Sequence, residues 1–399
     1  MKVIQINTVC GVGSTGRITT DLHKALVQEG NECLICYGRG TAPKDYQSYR
    51  IGTDLEVYLH ALYTRITDRT AFASKRATIA LLHKIEEFQP DILHLHNLHG
   101  YYLHFEELFQ YLKQYNKPVI WSLYDCWSFT GHCCHFDYIG CDKWKSGCHN
   151  CPQLKEYPAS YGLDQSNKNY ADKKKLIHSI KQLTFVPPTK WLSQIMENSY
   201  LSDMNKKIIP TGIDVEVFQP TNSNLRKELQ LEDAHVVLGV SNGFGKFKGS
   251  KYFLQLAERL PKNYRLVLLG VTKEQSSQYP KEVLTLPRTN SPNQLAQFYT
   301  MADVFVNPTL QETQGLTNIE ALACGTGVVT FQSGGSAESI NESCGIVVVR
   351  DDFEGLLQAV IKACRNPFSP ELCRKKAMEY DKKKLLMDYI NLYQNALPS

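Results

Sequence analysis

Short apolar runs rich in β-branched residues alternate with amphipathic stretches of helical period along nearly the whole chain, and halfway along the pattern starts again. Such alternation is the signature of parallel sheets with helical crossovers. In the first half the predicted strands are Val3–Asn7, Cys33–Tyr37, Ile92–His96, Pro118–Leu123 and Leu183–Pro187. Between the first two, Ile18, Leu22, Ala25 and Leu26 recur at helical spacing, and Gly30 stops the helix. The second half repeats the scheme with strands over Lys207–Ile209, His235–Val240, Arg265–Leu269, Val283–Leu286, Asp303–Asn307, Val328–Phe331 and Ile346–Val349, and helices over Lys251–Leu260 and Thr317–Ala323. A chain of 399 residues exceeds the ~250–300 at which a single core stops growing. Two doubly wound α/β domains are therefore expected, 1–204 and 205–381, divided where Pro210-Thr211-Gly212 signals a turn. A last helix within 382–399 has no strand after it and is expected to pack back on the first domain. Ligands of open α/β sheets bind at the carboxyl ends of the strands, so a cleft between two such domains is where chemistry is expected.

Composition narrows the class. Hydrophobic residues make up 43% and charged residues 21%, as in ordinary globular proteins, and no run approaches the ~20 apolar residues of a membrane span. Met1-Lys2-Val3-Ile4-Gln5 reads as the start of a strand rather than a secretory signal, so a cytoplasmic location is expected. A net charge of +4 gives no reason to expect nucleic acid as a partner. Basic residues do gather at Arg65, Arg69, Lys75, Arg76 and Lys84, and again at Lys173, Lys174, Lys175 and Lys181. They read either as solvated helix faces or as a surface resting on anionic lipid. Of thirteen cysteines, Cys126, Cys133, Cys134, Cys141, Cys148 and Cys151 fall in one short segment.

Three motifs follow predicted strands and open helices. Gly11-Val12-Gly13-Ser14-Thr15-Gly16-Arg17 has the glycine pattern of a dinucleotide site. The second strand, however, ends Tyr37-Gly38-Arg39 without the acid that would hold a ribose. What survives is a turn at which an anion can approach backbone amides. In Glu312-Thr313-Gln314-Gly315-Leu316-Thr317-Asn318-Ile319-Glu320, Gly315 permits a sharp turn and a helix begins near Thr317. The amides of Leu316 and Thr317 would face a diphosphate, with Glu312 before the helix and Glu320 in its first turn to take hydroxyl hydrogen bonds. In Ser241-Asn242-Gly243-Phe244-Gly245-Lys246-Phe247-Lys248-Gly249, a lysine could neutralise a leaving diphosphate.

With these motifs the chain resembles glycosyltransferase family 4, retaining enzymes of the GT-B fold with two Rossmann-like domains facing across a cleft. The resemblance covers nearly the whole chain. It is carried by the Glu312 and Glu320 pair, by Ile209-Pro210-Thr211-Gly212-Ile213-Asp214, by Ala302-Asp303-Val304-Phe305-Val306-Asn307-Pro308 and by Ser333-Gly334-Gly335. The segment from Trp127 through Cys148-His149-Asn150-Cys151-Pro152, inside a cysteine-rich insertion at 126–152, is similar to a subgroup of colanic-acid type acting in bacterial surface-polysaccharide assembly. The resemblance implies transfer of a hexose or N-acetylhexosamine from a UDP-sugar or GDP-sugar to a saccharide acceptor linked to polyprenyl diphosphate, at the cytoplasmic membrane face. It implies that Glu312 contacts the donor sugar, Glu320 the ribose and Lys248 the diphosphate, with Gly13, Gly16 and Arg17 approaching from the first domain. Retention by front-face attack needs no carboxylate nucleophile, and the absence of an Asp-x-Asp motif agrees with metal-independent chemistry.

Two positions depart from the family pattern: Asn242 stands where an arginine is usual, and Tyr124 where the subgroup commonly has histidine before Asp125. Asp125 is taken as the substitute catalytic residue. His94, His96 and His99 sit at or just past a strand end and are read as packing near the cleft. Cys133, Cys141, Cys148 and Cys151 read as free thiols or as a structural zinc site with Cys148-x-x-Cys151 as one chelating pair, with disulfides last because of the expected compartment. The competing functional readings are an NADP-dependent oxidoreductase using Gly11–Gly16 and Arg39, a non-catalytic sugar-nucleotide-binding protein, and a sugar-nucleotide epimerase.

Overall fold

A computed structural model describes residues 1–289 and 291–397. The chain divides into two compact units, one of Met1–Ile209 with the chain from Leu386 onward, the other of Pro210–Leu385.

The first unit is built on seven strands: β1 (Lys2–Val9), β2 (Glu32–Arg39), β3 (Ser48–Arg50), β4 (Ile92–Leu95), β5 (Val119–Ser122), β6 (Leu183–Val186) and β7 (Asn205–Lys206). They form one sheet in the order β3-β2-β1-β4-β5-β6-β7, every pair parallel. Ile6 stands level with Cys36 on one side and Leu95 on the other. Both faces are covered, which is why the strands read as continuous apolar runs. Helices α1 (Gly13–Gln28), α2 (Asp54–Thr67) and α3 (Lys75–Phe88) follow β1, β3 and α2 in turn. The second unit repeats the plan with β8 (His235–Val240), β9 (Tyr264–Leu269), β10 (Leu284–Leu286), β11 (Val304–Asn307), β12 (Val328–Phe331) and β13 (Gly345–Val348), in the order β10-β9-β8-β11-β12-β13. In each sheet the winding reverses at the first strand, between β1 and β4 and between β8 and β11, and this is where doubly wound sheets bind ligands.

Several expectations are corrected. The strand expected over Lys207–Ile209 in the second domain is instead Asn205–Lys206, paired with β6 in the first unit's sheet. The chain remains tied to β6 beyond it, with Lys207 N donating to Phe185 O at 2.9 Å and Ile209 N to Pro187 O at 3.2 Å. The units divide at 209/210, at the start of the Pro210-Thr211-Gly212 turn. The final helix spans Lys382–Ala396, and its Tyr389 and Tyr393 hydroxyls bond Ser122 Oγ at 2.8 Å and His94 Nδ1 at 2.5 Å inside the first unit. In the basic stretches Arg65, Lys75, Arg76, Lys174, Lys175 and Lys181 are exposed, as solvated faces require, but Lys173 departs from them. Lys173 is buried, its ammonium donating to Trp127 O at 2.5 Å and lying 3.9 Å from the Trp127 ring centroid. Burial lowers its pKa to about 8. Arg69 pairs with Asp172, Lys75 with Glu107 and Lys84 with Glu87. No helix among the described residues is long and apolar enough to cross a membrane.

Candidate active site

In the second unit β8 and β11 are neighbours, so the loops leaving their carboxyl ends meet. Leu310 N and Thr309 Oγ1 both donate to Phe247 O, at 2.9 and 3.1 Å. Gly249 lies at φ +77°, and a side chain there would put Cβ 2.2 Å from Pro308 O. Only glycine permits that approach of backbone to backbone. A third loop, after β12, grips the same spot, with Gly335 N donating to Glu312 O at 2.9 Å. The backbone of Glu312 is thereby fixed, and its Oε2 receives a hydrogen bond from Lys248 Nζ at 2.5 Å. Both side chains keep contact with solvent, at 45% for Lys248 and 25% for Glu312. The pair is thus an accessible cation and anion held together at the switch point of the sheet.

Beside them Gly315 caps the helix Leu316–Ala323. Asn318, buried at the third helical position, donates to Ser336 O at 2.9 Å and accepts from Asn307 Nδ2 at 2.8 Å, which fixes the helix start against β11 and the β12 loop. Asn318 N closes on Gly315 O. Leu316 and Thr317 precede it, where a helix offers their N–H groups no carbonyl of its own. Glu320 is the fifth residue of this helix, one residue further in than expected and so just past the first turn, because the helix begins at Leu316. Its Oε2 accepts from the Tyr299 hydroxyl at 2.9 Å.

Asn242, the expected weak point, accepts from Arg288 Nη1 at 3.2 Å. A guanidinium thus returns to the place of the missing arginine from just past β10, a residue the sequence reading missed. Glu312, Lys248, Gly315, Leu316, Thr317, Glu320 and Asn242 all belong to this unit; Asp125, Gly13, Gly16 and Arg17 belong to the other.

In the first unit α1 starts at Gly13, so Gly13 and Gly16 both lie in its first turn. Gly11 turns the chain at φ +74° and donates to Gly16 O at 2.9 Å; a Cβ on Gly16 would crowd Gly11 N at 3.1 Å, whereas Gly13 faces open space and Arg17 is exposed. His94 and His96 are buried, their ring centroids 3.9 Å apart and their planes tilted by 36°. Burial lowers both pKa values, that of His96 to about 3. Each ring nitrogen has a partner: Ser122 and Tyr393 for His94, Tyr124 and Gln5 for His96. These histidines are packing groups, as expected.

His99 differs. Its Nε2 bonds Asp125 Oδ2 at 2.7 Å and its Nδ1 bonds the Tyr157 hydroxyl at 3.2 Å. Burial pushes the Asp125 carboxyl up, but the His99 ring and the Trp127 amide hold it net below the usual carboxylate range. Cys134 Sγ is 4.0 Å from His99 Nε2. His99, Asp125 and Cys134 are the only such trio among the described residues with ligand atoms within 4.8 Å of one another. At 2.7 Å, though, the His99–Asp125 contact is a hydrogen bond; two ligands each about 2 Å from one zinc stand further apart.

The Cys-rich insertion carries short turns over the stacked rings of Phe136 and Trp144, 4.6 Å apart. Cys133, Cys141, Cys148 and Cys151 line one pocket. No three of their sulfurs lie within 4.8 Å of one another, although tetrahedral thiolates around zinc stand about 3.8 Å apart. Instead Cys148 Sγ accepts from Gly131 N at 3.1 Å, and a hydrogen bond from Cys133 is the first cause holding Cys151 down to about 7. The sulfurs follow one another in zinc-ligand order without zinc-ligand geometry.

Residues 221–383, most of the unit holding the Lys248–Glu312 pair, match the family of group 1 glycosyl transferases. The whole chain is similar to WcaC of Escherichia coli strain K12, named as a colanic acid biosynthesis glycosyl transferase, with 24% identity covering 99% of this chain and 100% of that one. The chain is a glycosyltransferase. The transferase also resembles the D-inositol 3-phosphate glycosyltransferase of Stackebrandtia nassauensis, at 26% identity over 41% of each chain. Among solved structures, sucrose-phosphate synthase from Thermosynechococcus elongatus superposes with a TM-score of 0.74 at 16% identity, covering 99% of this chain and 98% of that one. Anabaena HepE in complex with UDP gives 0.70 at 13%, covering 99% and 100%. WaaG, a glycosyltransferase involved in lipopolysaccharide biosynthesis, gives 0.67 at 17%, covering 98% and 99%. The fold is GT-B. The oxidoreductase reading finds no support, since it leaves the family match of the second unit unexplained.

Proposed function

We propose that the transferase moves a hexose or N-acetylhexosamine, with retention, from a UDP-sugar or GDP-sugar to a saccharide carried on polyprenyl diphosphate in surface-polysaccharide assembly. The observation that carries this reading is the Lys248–Glu312 contact beside the start of the Leu316 helix. In this reading the half-exposed Lys248 neutralises the departing diphosphate and Glu312 accepts from the sugar hydroxyls. On donor entry Lys248 exchanges Glu312 for phosphate, and Glu312 turns to the sugar. The amides of Leu316 and Thr317 and the guanidinium of Arg288 add to the charge that stabilises the leaving group, and Glu320, steadied by Tyr299, takes the ribose. Within the first unit, the start of α1, with Gly13 and Arg17 exposed and Gly16 packed beneath them, favours an anion. The acceptor proton passes to the departing phosphate oxygen, so no carboxylate nucleophile is needed. These cations supply the charge that a metal would otherwise bring. The names of WcaC and WaaG, and HepE's complex with UDP, support the pathway class and the nucleotide.

The test is a melting-temperature screen against UDP-, GDP- and dTDP-sugars. A donor at a hundredfold over its Kd should add about 2.7 kcal/mol. Arg288→Ala should weaken donor affinity about tenfold, the worth of one charge-assisted contact, and shrink that shift. An unchanged shift would remove Arg288 from the site, and no shift with any nucleotide sugar would sink the proposal.

Asp125, oriented by His99, serves the reacting sugar or the acceptor hydroxyl. Asp125→Asn keeps the shape and loses the charge. It should cut kcat by about 10²–10⁴ and flatten the acid limb of the pH–rate profile. A merely structural Asp125 would lower melting while leaving that limb in place.

A further inference from the structure

Helix α2 is turned inside out. Its only buried residues are His60 and Thr64. Leu55, Tyr58, Leu59, Leu62, Tyr63 and Ile66 are all exposed, between 39% and 66%. At 3.6 residues per turn they cover roughly 140° of the helix circumference, the stripe that normally faces a core. The exposed surface continues onto a neighbouring loop. Tyr161 N donates to Arg65 O at 2.8 Å and Leu163 N to Ile66 O at 2.9 Å, so Tyr161 and Leu163, themselves exposed, lie alongside the helix end. A continuous apolar surface of this kind marks an interaction site.

The charges around it favour one occupant. Arg65 lies on α2. Arg76 lies in the first turn of α3, next to the Ser74 hydroxyl that bonds His60 of α2. Lys168 adjoins Asn169, whose side chain donates to Asp68 O at the helix end. All three cations are exposed, and none forms an ion pair among the described residues. The nearby acids are engaged within the fold. Asp54 pairs with Arg50, Glu56 closes a capping box with Thr53, and Asp164 accepts from Cys151 N at 2.6 Å and from Ser166. Apolar side chains with three tyrosines, rimmed by unpaired cations, complement a bilayer surface of anionic headgroups. Across a two-fold axis the same cations would face copies of themselves.

We propose that α2 with the Tyr161–Leu163 loop lies in the plane of an anionic membrane surface, its apolar stripe among the upper acyl chains. This deepens the reading of a lipid-borne acceptor by naming the surface that meets the lipid.

The test is flotation of the full chain with vesicles of phosphatidylcholine, with and without about one third phosphatidylglycerol. The wild type should float with the anionic vesicles and release with salt. Leu59→Glu with Leu62→Glu should lose about a hundredfold in partitioning, with unchanged melting because both side chains are exposed. Arg65→Glu with Arg76→Glu should lose the preference for anionic lipid. If the leucine pair impairs folding, Tyr161→Ser with Leu163→Ser provides the same readout from the loop. Equal flotation of wild type and apolar variants, or no flotation of the wild type, overturns the proposal. So does light scattering that shows a dimer which the leucine pair converts to monomer. Flotation needs neither donor nor acceptor, whereas transfer to a short-chain, water-soluble acceptor should survive the leucine substitutions. Failure of the docking surface and failure of the transfer reading therefore appear in different assays.

Discussion

Replacing Glu312 by alanine should reduce transfer by at least about 10³-fold in kcat/KM, the scale at which a group acting on the transition state is felt, with melting within a degree or so of the wild type. The two halves of that result have separate causes. The loop is held by its backbone, through Gly335 N on Glu312 O and the Phe247 carbonyl that receives both Leu310 and Thr309, so folding does not need the carboxylate. Lys248 loses its partner but is half exposed, and water replaces the lost contact at little cost. Chemistry, by contrast, loses the one acid fixed where the sugar is expected. Substantial residual transfer by Glu312→Ala would move the donor sugar elsewhere.

The second large effect is on stability. Asp68 ends α2 in the left-handed region at φ 57°. One carboxylate oxygen bonds the His132 ring and the other accepts from Gln165 N at 2.8 Å. Each member of the Asp68–His132 pair is only 1% exposed at its side chain. Asp68→Ala should cost about 3–5 kcal/mol, because it strands a buried ring and leaves a part-buried amide without its acceptor. The pair also sets a pH dependence. Burial alone would lower the His132 pKa, but the hydrogen bond and charge of Asp68 outweigh it and the net is a rise above 6.5. A raised folded value means that the stabilisation is complete below the unfolded value of about 6.5 and fades as pH rises through the folded one. Chemical denaturation at several pH values should show stability falling through that window in the wild type, with the slope absent in Asp68→Ala. A slope retained in the variant would assign it to another group.

Most of the fold was legible because strands buried on both faces must be apolar along their length. Eleven of the expected strands stand within a residue or two of place, Ile92–Leu95 and Val328–Phe331 among them. Ser48–Arg50 escaped notice because a three-residue edge strand of polar character carries no such run. The loops that bring Lys248 and Glu312 together were legible as separate motifs, since each follows a strand. Their contact and the arrival of Arg288 beside Asn242 depend on strand order, which local pattern does not encode. The His99–Asp125 pair was hidden for the same reason, because it joins loops after β4 and β5. Lys173 was misread because a lysine among lysines looks solvated, and only the fold shows Trp127 over it. In α2 periodicity marks an apolar stripe but not which way the stripe faces.

The tyrosines of the final helix bear on how the molecule is made. His94 and Ser122 lie in the middle strands of the first sheet, yet the hydroxyls that complete them belong to residues translated after the entire second unit. While synthesis proceeds, the earlier unit must wait with polar groups uncovered at its centre, in a state open to chaperones and proteases. Ending the gene shortly before Leu386 should therefore injure the part of the protein made first.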